Sequence, residues 1–243
     1  MFLTLILSSF LTFMELNCEN LFDTRHDSLK NDLEFLPDGS YRWTPYRYWA
    51  KLNHLGQEIV AQSNPIPDFV AMCEVENDSV MFDLTKRSLL RNAGYEYVMT
   101  SSPDDRGIDV ALLYQPASFA LLHSHSIRIK PLPDTRPTRD ILYASGLIIT
   151  GDTLHVFVVH APSRRGGEQA SRPYRLHVAD RLAAAVDSIY AESRDAKIIV
   201  AGDFNDYADS PALKRLYQHH LINISHDARG THGAKATYRW HGE

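Results

Sequence analysis

Acid, amide and imidazole side chains follow four short apolar segments, where they are suited to bind a metal ion and a phosphate ester. They are Asn17 and Glu19, then Glu74, then His160, and finally Asp203 with Asn205. Ligands of α/β proteins collect at the carboxyl ends of strands, so these side chains are expected to meet at one edge of a sheet. Hard oxygen ligands without cysteine favour Mg²⁺, Mn²⁺ or Ca²⁺ over zinc, and a phosphate ester as the substrate.

Two groups of basic residues are candidates for binding substrate phosphate. Arg106 and Asp109 flank a glycine before an apolar segment, where they either form an ion pair at the site rim or contact the phosphate. A second group either grips phosphate or forms a solvated helix face; it consists of Arg164, Arg165, Arg172, Arg175 and Arg181. Arg164, Arg165 and Arg106 are the predicted phosphate-binding residues.

The elements that must position these residues alternate between strand-like and helix-like segments, which indicates an α/β fold. Six short segments rich in branched or aromatic residues predict strands at 10–18, 68–74, 109–114, 142–149, 154–160 and 197–203. A stretch with three prolines, 131–139, predicts an extended surface connection.

Apolar residues at helical spacing predict two long helices. In 46–62 the predicted buried stripe is Trp49, Leu52, Leu55 and Ile59, with Gln62 at the same spacing. In 173–192 the stripe is Leu176, Ala179, Leu182, Ala183, Val186 and Ile189. Ser171 is the predicted cap of that helix with Pro173 in its first turn, and Ser210-Pro211 predicts the start of a short third helix.

Length and charge limit the functional classes. A chain of 243 residues with 44% hydrophobic residues fits one large α/β domain. A net charge of −5 gives no overall field for holding polyanions, so any phosphate recognition must be local. Cys18 and Cys73 are too few for a disulfide scaffold and lack metal-ligand spacing, so buried thiols are expected, with a bridge as the alternative.

The apolar N-terminal stretch is about a dozen residues, roughly half of what a membrane-spanning helix needs. It has neither a basic start nor a small-residue cleavage site. From about Phe10 it is interpreted as the first strand, which leaves 1–9 as a candidate remnant of an export signal and 10–243 as one domain. Localisation, extracytoplasmic or cytoplasmic, stays open.

Five motifs in order resemble those of the endonuclease/exonuclease/phosphatase superfamily, which includes deoxyribonuclease I. They are LNCENLFD at 16–23, CEVEN at 73–77, RGIDVALLY at 106–114, VVHAPSRRGGE at 158–168 and VAGDFND at 200–206. The most specific of them is GDFN after an apolar strand. The resemblance implies an α/β fold, a two-sheet β-sandwich flanked by helices on its outer faces.

The resemblance also implies roles for individual residues. Glu74 would be the main Mg²⁺ carboxylate, with Asn17 and Glu19 completing the network on the metal side. Asp203 would orient or deprotonate the attacking water, Asn205 would bind a phosphate oxygen, and a hydrogen bond from His160 would stabilise the phosphate in the transition state. Mn²⁺ or Ca²⁺ would be alternatives to Mg²⁺.

The pattern departs from the family after Asn205. Members normally continue with an aspartate at a late strand and a terminal Asp-His pair, and His226, Asp227, His232 and His241 do not stand in that context. We therefore interpret the chain, which stops at TYRWHGE, as lacking C-terminal strands. The expectation is weak or absent activity for these 243 residues.

Two functions follow from these observations. The first is a metal-dependent hydrolase of phosphate esters, most favourably a phosphodiesterase or endonuclease that uses in-line attack of water. The alternative is a non-catalytic relative that binds a phosphate-bearing partner. Within the first, the substrate is open between nucleic acid, a lipid headgroup and a sugar phosphate, and neither membrane insertion nor a protein partner is predicted.

Overall fold

Eight strands in the described residues of the computed structural model, 10–61, 65–164 and 167–228, form two four-stranded sheets. Their orders are β1-β2-β4-β3 and β5-β6-β7-β8. The strands are β1 Phe13–Leu21, β2 Phe69–Val75, β3 Glu96–Met99, β4 Asp109–Tyr114, β5 Phe119–Ile127, β6 Ile141–Ile148, β7 Thr153–His160 and β8 Lys197–Asp203. The helices are α1 Pro45–Ala61, α2 Asp78–Phe82, α3 Glu168–Glu192 and α4 Pro211–Tyr217.

The strand β2 shows why the two sheets stack. Its residues alternate between two apolar environments, so Phe69, Ala71 and Cys73 pack into the core between the sheets, whereas Val70 and Met72 pack toward α1. Side chains of a strand point to opposite faces with a period of two, and a strand covered on both faces is therefore apolar throughout.

The outer faces of the sandwich are covered by helices. The buried side of α1 is formed by Tyr48, Leu52, Gly56 and Ile59, and it covers the first sheet. The helices α3 and α4 pack together on the second sheet. This is the α/β sandwich of deoxyribonuclease I, and the predicted fold class is confirmed.

The six predicted strands are all present within a few residues of their predicted bounds, but β3 and β5 were not predicted. The strand β3 has only four residues, and β5 has the sequence FALLHSHSI, whose histidines and serines remove the apolar signal from an exposed edge strand. The short helix α2 was also missed.

The predicted start of α3 was wrong. The helix begins at Glu168, so Pro173 lies inside it rather than at its first turn. Ser171 is not a cap, because its hydroxyl donates to the carbonyls of Gly167 and Glu168. For α4 the prediction was correct: Ser210 accepts from the Leu213 amide and Pro211 is the first helical residue.

Two parallel strand pairs bring the predicted site residues to one edge. The strand β1 pairs in parallel with β2, and β7 pairs in parallel with β8. Asn17 lies opposite Cys73 in the first pair, and His160 lies opposite Asp203 in the second. The carboxyl ends of all four strands therefore meet at one edge of the sandwich.

Several predictions fall on residues whose structure is not described, namely those on 1–9, Gln62, Arg165, His232, His241 and the segment 237–243. Cys18 and Cys73 are free and buried. They belong to apolar clusters on opposite faces of the first sheet, so no bridge joins them. Across the described ranges, none of the helices combines the length and apolar character needed to cross a membrane.

Candidate active site

The amide of Asn17 connects the two sheets at the centre of the site. Its Nδ2 donates to Asp203 Oδ2 at 3.0 Å and lies 3.5 Å from Glu74 Oε1. The other Glu74 oxygen, Oε2, accepts from the Asn20 amide at 2.8 Å. One neutral donor therefore holds two carboxylates close together, which lowers the cost of placing like charges at one edge of the protein.

Glu19 takes part through its backbone. Its amide donates to Asn17 Oδ1 at 2.9 Å, and its carbonyl accepts from Lys51 Nζ at 2.6 Å. Its own carboxylate is on an exposed residue. The structure therefore brings Asn17 and Glu74 together, whereas the Glu19 carboxylate does not share their hydrogen bonds.

His160 lies next to the carboxylate of Glu74. It is only 4% exposed, and its Nε2 lies 3.7 Å from Glu74 Oε1. Burial, followed by the charges of Arg139 and Arg106, holds the pKa of His160 well below its ordinary value. The ring is therefore neutral near pH 7 and can donate one hydrogen bond, and among the described residues its Nδ1 has no hydrogen-bond partner.

Three hydrogen bonds hold the loop after β8, two of them to Ala161 in the loop after β7. The Asn205 amide donates to Asp203 Oδ1 at 2.8 Å, and Asn205 Nδ2 donates to the Ala161 carbonyl at 3.0 Å. The Ala161 amide in turn donates to the Asp203 carbonyl at 2.8 Å. Both oxygens of Asp203 are thus oriented, and the second N–H of the Asn205 amide is left to bind another group.

Left-handed backbone conformations concentrate at this site. Glu19, Asn20, Glu74 and Asn205 have φ of 51°, 63°, 62° and 50°. Each such residue costs on the order of 1–3 kcal/mol and persists only where neighbours enforce it. Lys51 enforces the turn at Glu19 and Asn20 by donating to both carbonyls. Strain of this kind is a mark of a functional site.

A buried cationic group that the sequence did not reveal lies behind His160. Arg139 was predicted to lie on an extended surface connection, but it is only 7% exposed. It donates to the Ala161 carbonyl at 2.8 Å and to Asp104 Oδ2 at 3.2 Å. The apolar strand that follows, β6, is the sequence signal that would have placed Arg139 inside.

The predicted pairing of Arg106 with Asp109 does not occur. Asp109 is buried and accepts from Ser102 and Thr100. The Arg106 guanidinium lies 3.9 Å from Asp104 instead, with its side chain 43% exposed. It remains a candidate for phosphate binding, since it lies near enough to His160 to lower the pKa of that ring.

The arginines after β7 have different partners. Arg164 lies over the ring of Tyr207, with 4.4 Å between its Cζ and the ring centroid. Arg172 pairs with Glu168 on the same helix. Arg175 is wholly buried and donates to Asp206 Oδ2 at 2.8 Å. Its spacing from Val178, Ala179 and Leu182 places it on the buried stripe of α3, a pattern that could have identified it.

The residues present fit a hard divalent cation. Glu74 and Asp203 supply carboxylate oxygens and Asn17 supplies an amide. Within 10–61, 65–164 and 167–228, no group of three or more acids, histidines or cysteines is arranged as a metal cage. Mg²⁺ commonly binds through one or two carboxylates and completes its shell with water and substrate oxygens, which suits this edge.

Structural comparison finds the same fold in several solved proteins. The human Nocturnin catalytic domain has a TM-score of 0.58 at 20% identity, over 84% of this chain and 68% of that one. D. rerio TDP2 complexed with single-strand DNA product has a TM-score of 0.53 at 19% identity, over 88% of this chain and 66% of that one. The mannosyl-6-phosphatase of Bacteroides thetaiotaomicron has a TM-score of 0.59 at 17% identity, over 86% of this chain and 70% of that one. The chain thus spans roughly two thirds of these proteins, and at such identities the likeness shows the fold alone.

A search of curated protein sequences finds no match. A family model described as the Endonuclease/Exonuclease/phosphatase family matches residues 12–227, most of the chain. The match includes β1, which carries Asn17, and the loop after β8, which carries Asn205. The chain therefore belongs to the endonuclease/exonuclease/phosphatase family.

Proposed function

We propose that this protein is a divalent-metal-dependent phosphodiesterase that cleaves nucleic acid by in-line attack of water. The observation that carries the proposal is the position of the Asn17 amide, which lies between carboxylate oxygens of Glu74 and Asp203. It supports a site in which one acid faces a cation while the other faces a water molecule.

Each residue has a role that its contacts support. Glu74, with Asn17 beside it, would hold the cation, most favourably Mg²⁺ with Mn²⁺ or Ca²⁺ as alternatives. The cation would supply Lewis-acid stabilisation of phosphate and leaving-group charge. Asp203, oriented by Asn17 and by its own loop, would align the attacking water and accept its proton.

The phosphate would be bound by Asn205 and His160, which lie beside the two acids. Asn205 has one amide N–H beyond the one used by Ala161, and His160 is neutral with one ring N–H to donate. Buried Arg139 and half-exposed Arg106 place positive charge behind them in a chain of net charge −5. Such fixed donors stabilise the charge that grows on the phosphate.

Nucleic acid is the substrate that we favour. The solved TDP2 of D. rerio is complexed with single-strand DNA product, and it shares the fold of this chain. The mannosyl-6-phosphatase shares that fold too, so a sugar phosphate is the comparison substrate in any test.

The test measures hydrolysis of bis-p-nitrophenyl phosphate, plasmid DNA and a sugar phosphate, with Mg²⁺, Mn²⁺ or EDTA. Asp203→Ala should lower turnover by about 10²–10⁴-fold while remaining folded by circular dichroism. Asp195→Ala removes an exposed acid that precedes the start of β8, at the opposite end of that strand from Asp203, and should retain wild-type turnover. Activity that survives EDTA or Asp203→Ala would refute the proposal. Folded wild-type protein that binds but does not cleave would instead support a non-catalytic phosphate-binding relative.

A further inference from the structure

An arginine and a tyrosine contact each other on the two loops that carry the site. The guanidinium of Arg164 lies over the ring of Tyr207, with 4.4 Å between Cζ and ring centroid. Arg164 follows β7 by four residues, and Tyr207 follows β8 by four residues. A hydrogen bond from Asn205 Nδ2 to the Ala161 carbonyl, at 3.0 Å, joins the two loops. The pair is therefore attached to the same backbone that positions Asn205.

The Tyr207 ring is presented to solvent from a fixed backbone. With Arg164 over the ring, Tyr207 is still 54% exposed, so part of its surface is free to contact a ligand. The side chain of the preceding residue, Asp206, is 3% exposed and accepts from the buried Arg175 at 2.8 Å. A rigid backbone under an exposed ring is preorganised, so less conformational entropy is lost when a ligand binds.

The chemistry of the pair selects its ligand. A guanidinium plane and a phenol ring both offer flat faces, and both stack on nucleobases that have left their duplex. A lipid headgroup has no flat aromatic ring to stack. A phosphate alone would be met by the guanidinium edge, whereas Arg164 is arranged with its charge over an aromatic face.

We propose that Arg164 and Tyr207 form a stacking platform for an unpaired nucleobase next to the scissile phosphate. The platform rests on the proposed function for its neighbouring cleavage step, and it narrows the substrate to single-stranded nucleic acid or a nucleotide diester. It also changes the role of Arg164, predicted from the sequence as a phosphate ligand.

The test compares two fluorescein-labelled probes of equal length, a single-stranded oligodeoxyadenylate and its abasic tetrahydrofuran analogue. Binding by anisotropy is measured with Ca²⁺, and cleavage is measured with Mg²⁺. The wild-type chain should bind the base-bearing probe about 5- to 150-fold more tightly, the range expected for one stacked base. Tyr207→Ala should remove that preference and leave affinity for the abasic probe unchanged.

Three variants separate stacking from folding and charge. Tyr207→Phe keeps the ring and should keep the preference. Arg164→Lys keeps the charge without the plane and should weaken the preference. Tyr46→Ala removes another highly exposed tyrosine, on α1, and should have no effect.

The outcomes distinguish this inference from the proposed function. Equal affinity for both probes in the wild type, or an undiminished preference in Tyr207→Ala, overturns the platform even if phosphodiesters are cleaved. A base-dependent affinity without any cleavage supports the platform and refutes phosphodiester cleavage by these 243 residues.

Discussion

The side-chain amide of Asn17 donates to a carboxylate oxygen of Asp203 across 3.0 Å, joining residues that lie 186 positions apart in the chain. The same amide lies 3.5 Å from a carboxylate oxygen of Glu74. One side chain thereby sets the relative position of acids on the two sheets. A small shift of either acid would change both the water and the cation that they are proposed to hold.

Asn17→Ala should lower kcat for bis-p-nitrophenyl phosphate by about 10–100-fold, the usual cost of removing a group that orients metal-site ligands. The acids would lose their shared donor and repel each other. Steady-state kinetics with saturating Mg²⁺ checks this. Asn92→Ala, an exposed asparagine outside the site, should leave kcat as it is. A fully active Asn17→Ala would show that the acids do not depend on this amide.

Gly202→Ala should destabilise the protein strongly. Gly202 has φ of 127°, and a Cβ there would overlap the carbonyl of Val159 on the neighbouring strand. The backbone penalty is roughly 1–2 kcal/mol and the overlap adds about 1–3 kcal/mol. Gly151→Ala is the control, because Gly151 also has positive φ, 84°, but nothing within 4 Å of the added Cβ.

Urea denaturation of the two variants measures the difference. Gly151→Ala should be destabilised only by the backbone penalty, whereas Gly202→Ala should be destabilised by both the backbone penalty and the overlap with Val159. Equal midpoints for the two would mean that β7 and β8 are not as tightly apposed at Gly202 as described.

Arg175→Met should destabilise the protein by about 3–5 kcal/mol, because it leaves the carboxylate of Asp206 buried without its partner. The double variant Arg175→Met/Asp206→Leu removes both charges and should recover much of that loss. Arg172→Met breaks a pair with Glu168 at the surface and should cost less than about 1 kcal/mol. Thermal and urea unfolding of the wild type and the three variants check this. An Arg175→Met protein as stable as Arg172→Met would contradict the prediction.

The stability contributed by Asp68 should depend on pH. Burial alone would raise the pKa of Asp68, but hydrogen bonds from Ser118 and Thr12 outweigh it and hold that pKa below its ordinary value. A carboxyl with a lowered pKa stabilises the fold above its unfolded pKa, and that stability is lost as pH falls through the folded pKa. Asp68→Ala should therefore cost on the order of 1–3 kcal/mol at pH 7 and less below about pH 4.

Chemical denaturation of wild type and Asp68→Ala at pH 7 and pH 3 measures this change. Asp38→Ala, at an exposed position, serves as the control and should show a small difference at both values. If the difference in unfolding free energy between wild type and Asp68→Ala grew toward low pH, the pKa of Asp68 would be raised in the folded protein rather than lowered.

The strands that carry the site could be predicted because their signal is local. β2, β4, β7 and β8 are short apolar runs that end in turn formers, and each was found within one or two residues of its bounds. The strand β5 was missed because it is an exposed edge, where His123 and His125 replace the apolar pattern. The start of α3 differs from the prediction because proline favours the first turn of a helix, whereas this helix begins at Glu168, five residues before Pro173.

The sequence by itself determined the layered α/β architecture and the polar groups that end its strands, since both depend on periodicity and on neighbours in the chain. Only the tertiary structure decided which of those groups meet. Asn17 meets Asp203, Arg139 lies buried behind His160, and Arg164 covers Tyr207. The physical reason is that these contacts are made between sheets and between loops, where the position of a side chain depends on how the strands pack rather than on its own neighbours in sequence.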